Sequence, residues 1–247
     1  MKVHCIDLNC DVGEGIGNEA SLFPYISSCN IACGGHAGDA DSMFETVELA
    51  RKHRVKVGAH PSYPDRENFG RMPMEMDTGV LQQHLRGQIG ALTRILEALN
   101  IPLHHVKAHG ALYNDLAKGG RLAMDYLEVL ESFGKAFLVY APCGSRFAEL
   151  VRKVGFQVWE EAFADRAYEA DGSLVSRKRP GAVLKSPQEV SHQVREMVLS
   201  GRVRCADGSY FHLKPKTYCL HGDTPNAVEI LMFLTKSLSE ESICIQK

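Results

Sequence analysis

The sequence lacks the long apolar segments that membrane insertion and export require. Its longest apolar run, near residues 136–143, is too short to cross a bilayer. Close to the N-terminus, His4 and Asp7 interrupt the apolar residues, so no signal-peptide core is present. From these two absences we expect a soluble, cytoplasmic protein.

An excess of charge of one sign is also lacking. The chain has 28 Lys and Arg against 30 Asp and Glu, a formal net charge of −2. Such a balance provides no global field that would attract nucleic acid or an anionic membrane. No basic stripe with interleaved aromatic residues occurs either. We therefore expect neither nucleic acid nor a membrane among the partners.

The eight cysteines include no C-x-x-C pair, which argues against the usual zinc and redox spacings. Without an export signal, an even number of cysteines does not by itself predict disulfides. We expect most of them to be small, buried thiols in a reducing compartment. Cys33, which follows a short apolar run, is kept as a functional candidate.

Several well-known motifs are missing. The sequence has no P-loop, no dinucleotide fingerprint and no G-x-S-x-G nucleophile motif. The stretch from Asp7 is similar to the start of a calcium loop, but Val12 stands at its glycine position and Asn18 at its glutamate position. A bound nucleotide would therefore need a partner protein or a non-standard site.

What the sequence does contain is a regular alternation of predicted strands and helices. Strands are predicted at residues 3–8, 29–32, 55–59, 103–108, 136–141, 156–160 and 217–220. Helices are predicted at 42–54, 78–99, 113–133, 145–154, 187–199 and 225–239, with a long loop over 61–76 and a hairpin within 202–213. This alternation predicts parallel βαβ units. Seven such strands predict a (β/α) barrel, and residues 1–247 a single domain; a doubly wound open sheet is the alternative.

Polar residues gather where the predicted strands end, which is where parallel α/β proteins build their sites. Side chains at i and i+2 of a strand share a face, so Asp7, Asn9 and Asp11 are expected to point the same way. We predict these catalytic candidates: Asp11, Glu14, His36, His60, Lys107, His109, Asp165, His221 and Asp223. The substrate-binding candidates are Asn9, Arg66, Asn68, Arg71 and Arg166.

These residue types support more than one chemistry. Asp and His side chains can hold a divalent metal with a position left open for water, or they can act as general acid and base around a carbonyl. Lys107 suits an oxyanion or a phosphate. The arginines suit a carboxylate.

Six stretches together resemble the LamB/YcsF family, in the same order and over nearly the whole chain. They are DLNCDVGEG, NIACGGHAGD, GAHPSYPDRENFGR, VKAHGALYN, EEAFADRAYEADGSLVSR and CLHGD. Two positions depart from the family pattern: Gly35 stands where an aromatic residue is usual, and Ala108 stands where proline is usual. We expect Gly35 to widen the pocket.

The resemblance implies a seven-stranded barrel of the glycoside hydrolase/deacetylase type. It also implies opening of the lactam of 5-oxo-L-proline to L-glutamate, with ATP as co-substrate and two further 5-oxoprolinase subunits as partners. Within that reaction we expect His60 or His109 to act as the base, Lys107 to bind an oxyanion or phosphate, and Arg66 to hold the substrate carboxylate.

Two other functions stay open at this point. The chain could be a stand-alone metal-dependent amidase or deacetylase, with Asp11, His36 and His60 as metal ligands. It could also be a carbohydrate- or metabolite-binding barrel that only regulates.

Overall fold

The structure, a computed structural model, describes residues 3–247. Within these residues seven parallel strands close a barrel. The barrel strands are β1 (His4–Val12), β2 (Ser28–Ala32), β3 (Lys56–His60), β4 (His105–Val106), β5 (Leu138–Pro142), β6 (Gln157–Phe163) and β9 (Thr217–Cys219). They follow one another around the barrel in this order, and β9 pairs back with β1. The predicted barrel is therefore confirmed, and the open-sheet alternative is wrong.

Three further strands lie outside the closed barrel. The predicted hairpin is present as β7 (Arg202–Arg204) and β8 (Tyr210–His212), which pair antiparallel. A final strand, β10 (Ile243–Ile245), pairs parallel with the first residues of β1. The sequence analysis does not predict β10, because three residues near the end of a chain carry too little pattern to identify a strand.

The connecting helices follow the predicted positions, with two differences. They are α1 (Glu19–Leu22), α2 (Ala40–His53), α3 (Thr78–Ala98), α4 (Gly110–Ala117), α5 (Arg121–Glu131), α6 (Arg146–Val154), α7 (Pro187–Ser200) and α8 (Ala227–Glu240). The predicted helix 113–133 is in fact two helices, α4 and α5, interrupted at residues 118–120 by Gly119 and Gly120. The short α1 was not predicted. Of the helices in residues 3–247, none has the length and apolarity to cross a membrane.

Helix α2 shows why helix ends are hard to read from sequence. Its N-cap is Asp39, whose carboxylate accepts from the Ser42 backbone N–H while the Ser42 hydroxyl bonds back to the Asp39 backbone N–H. This is a capping box, and the helix therefore begins two residues before the predicted start at residue 42. Phe44 is half exposed, whereas Val47 and Ala50 are buried.

Six of the eight cysteines are free thiols, in agreement with the expectation for most of them. Cys5 and Cys244 instead form a disulfide that joins β1 to β10, with their Cα atoms 4.6 Å apart. Five of the free thiols are buried, and Cys143 is partly exposed. The sequence does not predict this pair, because the bond joins residues that only the fold brings together.

The interior of the barrel is polar rather than apolar. Asp7, Asn9 and Asp11 all lie on one face of β1, as the alternation along the strand predicted, and all are buried. Near the bottom, Asp7 accepts hydrogen bonds from the hydroxyls of Ser28 and Thr217, each at 2.7 Å. The opposite face of β1 carries apolar residues of the outer core. Asp7, Asn9 and Asp11 thus form a row of polar side chains inside the barrel that runs towards the carboxyl ends of the strands.

Candidate active site

Parallel strands bring their carboxyl ends to the same mouth of the barrel. β1 runs into Asp11 and Glu14, and the loop after β2 provides His36. His60 is the last residue of β3, and His109 caps α4 just beyond β4. These five side chains, from four separate parts of the chain, are brought together at the mouth.

Three histidines form a compact cluster, His36, His60 and His109, called here the histidine cluster. The rings of His36 and His109 stack at a centroid distance of 3.6 Å and an angle of 4°. The His60 ring meets the His109 ring edge-on, with centroids 4.9 Å apart. All three are buried, with 2%, 1% and 5% of their surface exposed.

Backbone carbonyls fix the tautomers of two of these rings. His60 Nδ1 lies 2.8 Å from the Lys107 carbonyl oxygen, and His109 Nε2 lies 2.9 Å from that of Phe69. A carbonyl only accepts, so both of these nitrogens carry hydrogen. His60 Nε2 and His109 Nδ1 then face each other as lone pairs at 3.0 Å. Two lone pairs at this distance need a shared proton or a cation between them.

Two carboxylates flank this nitrogen pair. Asp11 Oδ2 lies 3.3 Å from His60 Nε2, and Glu14 Oε1 lies 3.5 Å from His109 Nδ1 and 3.0 Å from His36 Nε2. Asp11, Glu14, His60 and His109 each offer one ligand atom, and these four atoms lie within 4.8 Å of one another. Two imidazoles and two carboxylates form a donor set suited to zinc, iron or manganese. This buried group could therefore hold a metal ion.

His36 takes a different position from that expected of a metal ligand. Its Nε2 contacts Glu14, while its Nδ1 is buried without a hydrogen-bond partner among the described residues. Burial, followed by the neighbouring His60, lowers the pKa of His36 to about 2. The ring is therefore neutral, and its free Nδ1 can accept from or donate to a ligand, depending on the tautomer.

The surroundings of Asp11 and Glu14 shift the pKa values of their carboxyl groups in opposite directions. Burial alone would raise the pKa of Asp11, but His60 and Lys107 outweigh it and hold that pKa well below its ordinary value. The pKa of Glu14 is raised well above its ordinary value by burial, by the charge of Asp11 and by that of Asp223. Two carboxyl groups whose pKa values are shifted apart in this way suit the roles of a base and an acid in one site.

Lys107 holds Asp11 in place from below. Its ammonium nitrogen lies 2.9 Å from Asp11 Oδ1, 3.0 Å from Cys219 Sγ and 3.1 Å from Glu161 Oε1. Burial alone would lower the pKa of Lys107, but Asp11, Cys219 and Glu161 together raise it well above its ordinary value. An ammonium group has three protons, and here all three have acceptors. From the sequence, Lys107 was expected to bind an oxyanion or a phosphate. In this arrangement its ammonium group has no free N–H with which to do so.

Glu161, Tyr113 and Cys219 belong to the site but were not among the candidates. Glu161 accepts from Asn9 Nδ2 at 2.9 Å and from the Tyr113 hydroxyl at 2.6 Å. Glu160 and Glu161 are adjacent in β6, so they point to opposite faces, and the sequence alone does not show which of them faces inward. Cys33, which was kept as a functional candidate from the sequence, donates its S–H to the Ile31 carbonyl oxygen at 2.9 Å.

Asp165 and His221 form a second pair at the mouth. The Asp165 carboxylate accepts from His221 Nδ1 at 2.9 Å and from the Thr224 hydroxyl. Burial would raise the pKa of Asp165, but His221 outweighs it and lowers that pKa. A ring nitrogen of His221, a carboxylate oxygen of Asp11 and Cys219 Sγ lie within 4.8 Å of one another, so this pair adjoins the histidine cluster.

The predicted substrate-binding side chains lie in different places. Arg66 donates to the Gly38 carbonyl, and Asn68 bonds Asp65 at the surface. Buried Arg166 donates to the carbonyls of Ala182 and Val175. The remaining two are Asn9, inside the barrel, and Arg71, at the mouth, where it pairs with Asp223.

Residues 61–77, called here the mouth loop, cover the histidine cluster. The Phe69 ring lies edge-on to His36, with centroids 5.2 Å apart, and its carbonyl holds His109. The start of the loop is anchored by α3, because Gln88 bonds both the backbone N–H and the carbonyl of Ser62 at 2.9 Å. The loop thus contributes to the burial of the three histidine rings.

Gly35 does not widen the site, contrary to the expectation from sequence. A Cβ atom at this position would lie 2.4 Å from both Gln88 Oε1 and Ser62 Oγ. The space that a larger side chain would need is therefore filled by the Gln88–Ser62 contact, and glycine is required for that packing. Ala108 is buried beside the site.

Comparison with known proteins gives consistent similarity along the chain. The model of the LamB/YcsF family matches residues 6–247. A Pyrococcus furiosus protein, named as a subunit of 5-oxoprolinase, is 43% identical over 243 residues, which cover 96% of this chain and 95% of the relative. A Thermococcus sibiricus protein of the same name is 43% identical over 245 residues, covering 97% and 96%. A solved structure, the lactam utilization protein from Thermus thermophilus, has a TM-score of 0.91 at 36% identity and covers 98% of both chains.

Proposed function

The chain belongs to the LamB/YcsF family, and from this membership we propose that it is a subunit of a 5-oxoprolinase. The proposed reaction opens the lactam of 5-oxo-L-proline to L-glutamate, is coupled to ATP hydrolysis and takes place in the cytoplasm. Two further subunits complete the enzyme. The observation that carries the chemistry is the geometry of two carboxyl groups, Asp11 and Glu14, which lie 3.3 Å and 3.5 Å from the two nitrogens of the His60–His109 pair.

Opening an amide requires a base to activate water and an acid to protonate the departing nitrogen. Asp11, ionised and 3.3 Å from His60 Nε2, supports that nitrogen as the proton acceptor. Glu14, whose pKa is raised well above its ordinary value, serves in this proposal as the proton donor to the lactam nitrogen. Burial under the mouth loop keeps bulk water away, which strengthens both effects.

The nucleotide is proposed to bind on a partner subunit. The sequence carries no P-loop, and Lys107, the buried lysine of the site, already has Asp11, Cys219 and Glu161 as acceptors. Transfer of the terminal phosphoryl group of ATP to the lactam oxygen by a partner, with release of ADP, would make the ring carbon a better electrophile. This chain would then supply the water that adds to that carbon and the proton that the nitrogen takes up as the C–N bond breaks. A second water would release the phosphoryl group as phosphate and leave glutamate.

A second candidate function is a metal-dependent amidase or deacetylase that acts alone. The facing lone pairs of His60 and His109 favour it, together with the carboxylates of Asp11 and Glu14. These four residues would hold a divalent cation, which when bound supplies a Lewis acid and lowers the pKa of water. Metal analysis of the purified chain, combined with turnover of simple amides before and after chelation, separates this function from the first.

The main proposal is tested by co-expressing the chain with its two partner subunits and measuring glutamate and ADP. The His60→Ala/His109→Ala double variant is expected to lose at least about 100-fold in glutamate formation, the lower end of acid–base contributions. His192→Ala, at an exposed position of α7, is the matched control and is expected to keep wild-type activity. Full activity in the double variant would overturn the assignment of the site.

The acid role of Glu14 is tested by Glu14→Gln in the same assay. Glutamine can keep the hydrogen bond to His36 but cannot transfer a proton. Glutamate formation is expected to fall by about 100-fold or more, with little change in the KM for 5-oxo-L-proline. A rise in KM with kcat unchanged would instead place Glu14 in substrate binding.

A further inference from the structure

We propose that Arg71 and Arg177 form a carboxylate-binding subsite at the barrel mouth, and that the side chain of Asp223 occupies the place of the incoming carboxylate. This inference rests on the proposed function, because 5-oxo-L-proline carries one carboxylate besides its lactam. It also gives Asp223 a role in binding rather than in catalysis.

Three separate segments meet at this point. Arg71 comes from the mouth loop, Arg177 from the segment between β6 and α7, and Asp223 from the turn after β9. Arg71 forms an ion pair with Asp223 Oδ2, and Arg177 Nη1 lies 4.0 Å from the same oxygen. One carboxylate therefore faces two guanidinium groups, and the cluster keeps one positive charge in excess.

The other mouth arginines are already engaged with the backbone. Arg66 donates to Gly38, and Arg166 donates to Ala182 and Val175. At 4.0 Å, Arg177 is beyond hydrogen-bond length from Asp223, and among residues 3–247 it has no shorter ion pair. Its N–H groups are therefore available to an anion.

The subsite adjoins the reacting groups. The Arg71 guanidinium carbon lies 4.8 Å from the centre of the Phe69 ring, which in turn contacts His36. The charges of Asp223 and Arg71 also act on Glu14, the first raising its pKa and the second lowering it. A small lactam with its carboxylate on the arginines would thus place its ring next to Glu14 and the histidine cluster.

A ligand carboxylate can displace the Asp223 side chain from the two arginines, because all three side chains are partly exposed to solvent. The side chains of Arg71, Arg177 and Asp223 are 37%, 30% and 18% exposed. Ion pairs open to solvent to this extent are weak. A planar carboxylate that bonds both guanidinium groups in bidentate fashion gains more than Asp223 does, since Asp223 contacts only one of them closely.

The first test is steady-state kinetics of the enzyme assembled with its partner subunits. Arg177→Ala is expected to raise the KM for 5-oxo-L-proline at least 10-fold, with kcat and the KM for ATP nearly unchanged. Arg179→Ala is the matched control, because Arg179 lies on the same segment but pairs with Glu169, and it should match wild type. A rise in the KM for ATP instead would assign the arginines to a phosphate, and an unchanged KM for both substrates would overturn the subsite.

A second test needs no turnover, so it separates failure of the subsite from failure of the proposed function. Titration calorimetry on the full chain measures binding of 5-oxo-L-proline and of 2-pyrrolidinone, which lacks the carboxylate. We expect Arg177→Ala to weaken binding of 5-oxo-L-proline at least 10-fold and to leave 2-pyrrolidinone unaffected. Asp223→Asn, which removes the internal occupant, should bind 5-oxo-L-proline more tightly than wild type. Equal binding of both lactams by wild type, or weaker binding by Asp223→Asn, contradicts the proposal.

Discussion

Lys107 is the residue on which the charge balance of the barrel interior depends. Its ammonium group neutralises two buried carboxylates, Asp11 and Glu161, that come from different strands of the barrel. Removing one member of such a buried group leaves the others uncompensated in a medium of low polarity, which costs far more than the pair contributed. Lys107 is therefore a positioning residue that keeps Asp11 ionised and fixed.

Substitution of this lysine is expected to lower stability sharply. Lys107→Met should lose about 3–5 kcal/mol of unfolding free energy, because it leaves two buried carboxylates without a cation. Urea denaturation provides the measurement. The matched change Lys118→Met, in a surface ion pair with Asp115, should stay within about 1 kcal/mol of wild type. Adding Glu161→Gln to Lys107→Met should recover part of the loss, and no recovery would contradict the charge argument.

The buried ring of His105 is expected to make the free energy of unfolding depend on pH. Burial, followed by the neighbouring His104, holds the pKa of His105 well below its ordinary value, and its Nε2 bonds Asn30 Oδ1 at 2.6 Å. The folded protein keeps the ring neutral, whereas the unfolded chain takes up a proton below about pH 6.5. The stabilisation is therefore fully present above about pH 6.5 and decreases as the pH falls, by up to about 1.4 kcal/mol per pH unit.

The test compares how steeply the free energy of unfolding changes with pH in the wild type and in variants. His105→Gln can still donate to Asn30 but has no ring to protonate, so its unfolding free energy should fall less steeply between about pH 6.5 and pH 5. His192→Gln, at an exposed position of α7, should keep the wild-type slope. Equal slopes for His105→Gln and wild type would show that this ring is protonated in the folded state as well.

At the scale of elements, the mouth loop lies over the histidine cluster, and α3 anchors the start of the loop. Gln88 bonds Ser62 twice, and this contact fills the space beside Gly35. A side chain at position 35 would force Gln88 to give up both hydrogen bonds. The packing behind the loop, more than the loop itself, therefore sets its position.

A single methyl group tests this packing. Gly35→Ala is expected to lose about 1–3 kcal/mol by overpacking, which for a chain of this size lowers Tm by roughly 2–4 °C per kcal/mol. Gly87→Ala adds the same methyl group on the exposed face of α3, where a Cβ meets nothing within 4 Å. It should gain up to about 1 kcal/mol from helix propensity. A stable Gly35→Ala would mean that Gln88 yields easily and that the anchor is weak.

The elements also show what sequence can and cannot predict. The alternation along β1 correctly placed Asp7, Asn9 and Asp11 on one face, because a strand has only two faces. In β6, the sequence does not show which of the adjacent residues Glu160 and Glu161 points into the barrel. Pairing with the neighbouring strands turns Glu161 inward to Lys107 and leaves Glu160 to bond Arg152 outside.

At the scale of the whole molecule, the features that sequence missed are those made by distant segments. The meeting of Arg71, Arg177 and Asp223 joins three loops, and no local pattern marks it. The same holds for the pairing of β10 with β1, which brings the first and last strands of the chain together. The barrel itself was predictable because it repeats one local unit.

The Cys5–Cys244 disulfide is expected to stabilise the whole fold. It closes a loop with a sequence separation of 239 residues, and cross-links of this kind typically contribute about 2–4 kcal/mol by restricting the unfolded chain. Cys5→Ser/Cys244→Ser should therefore lower Tm, and reductant should lower the Tm of wild type to a similar value. Cys143→Ser, at a partly exposed free thiol, should have little effect. Unchanged Tm in reductant would contradict a stabilising role.

The polar interior decides which parts of the protein can be exchanged with those of a relative. Asn9 of β1 bonds Asn30 of β2, Glu161 of β6 and Thr217 of β9, so groups from four strands satisfy one another. In a chimera that takes one of these strands from another protein, the donors and acceptors on the remaining strands lose their partners and stay unpaired in the interior. Recombination with a relative therefore has to move the inward-facing residues of these strands as one block.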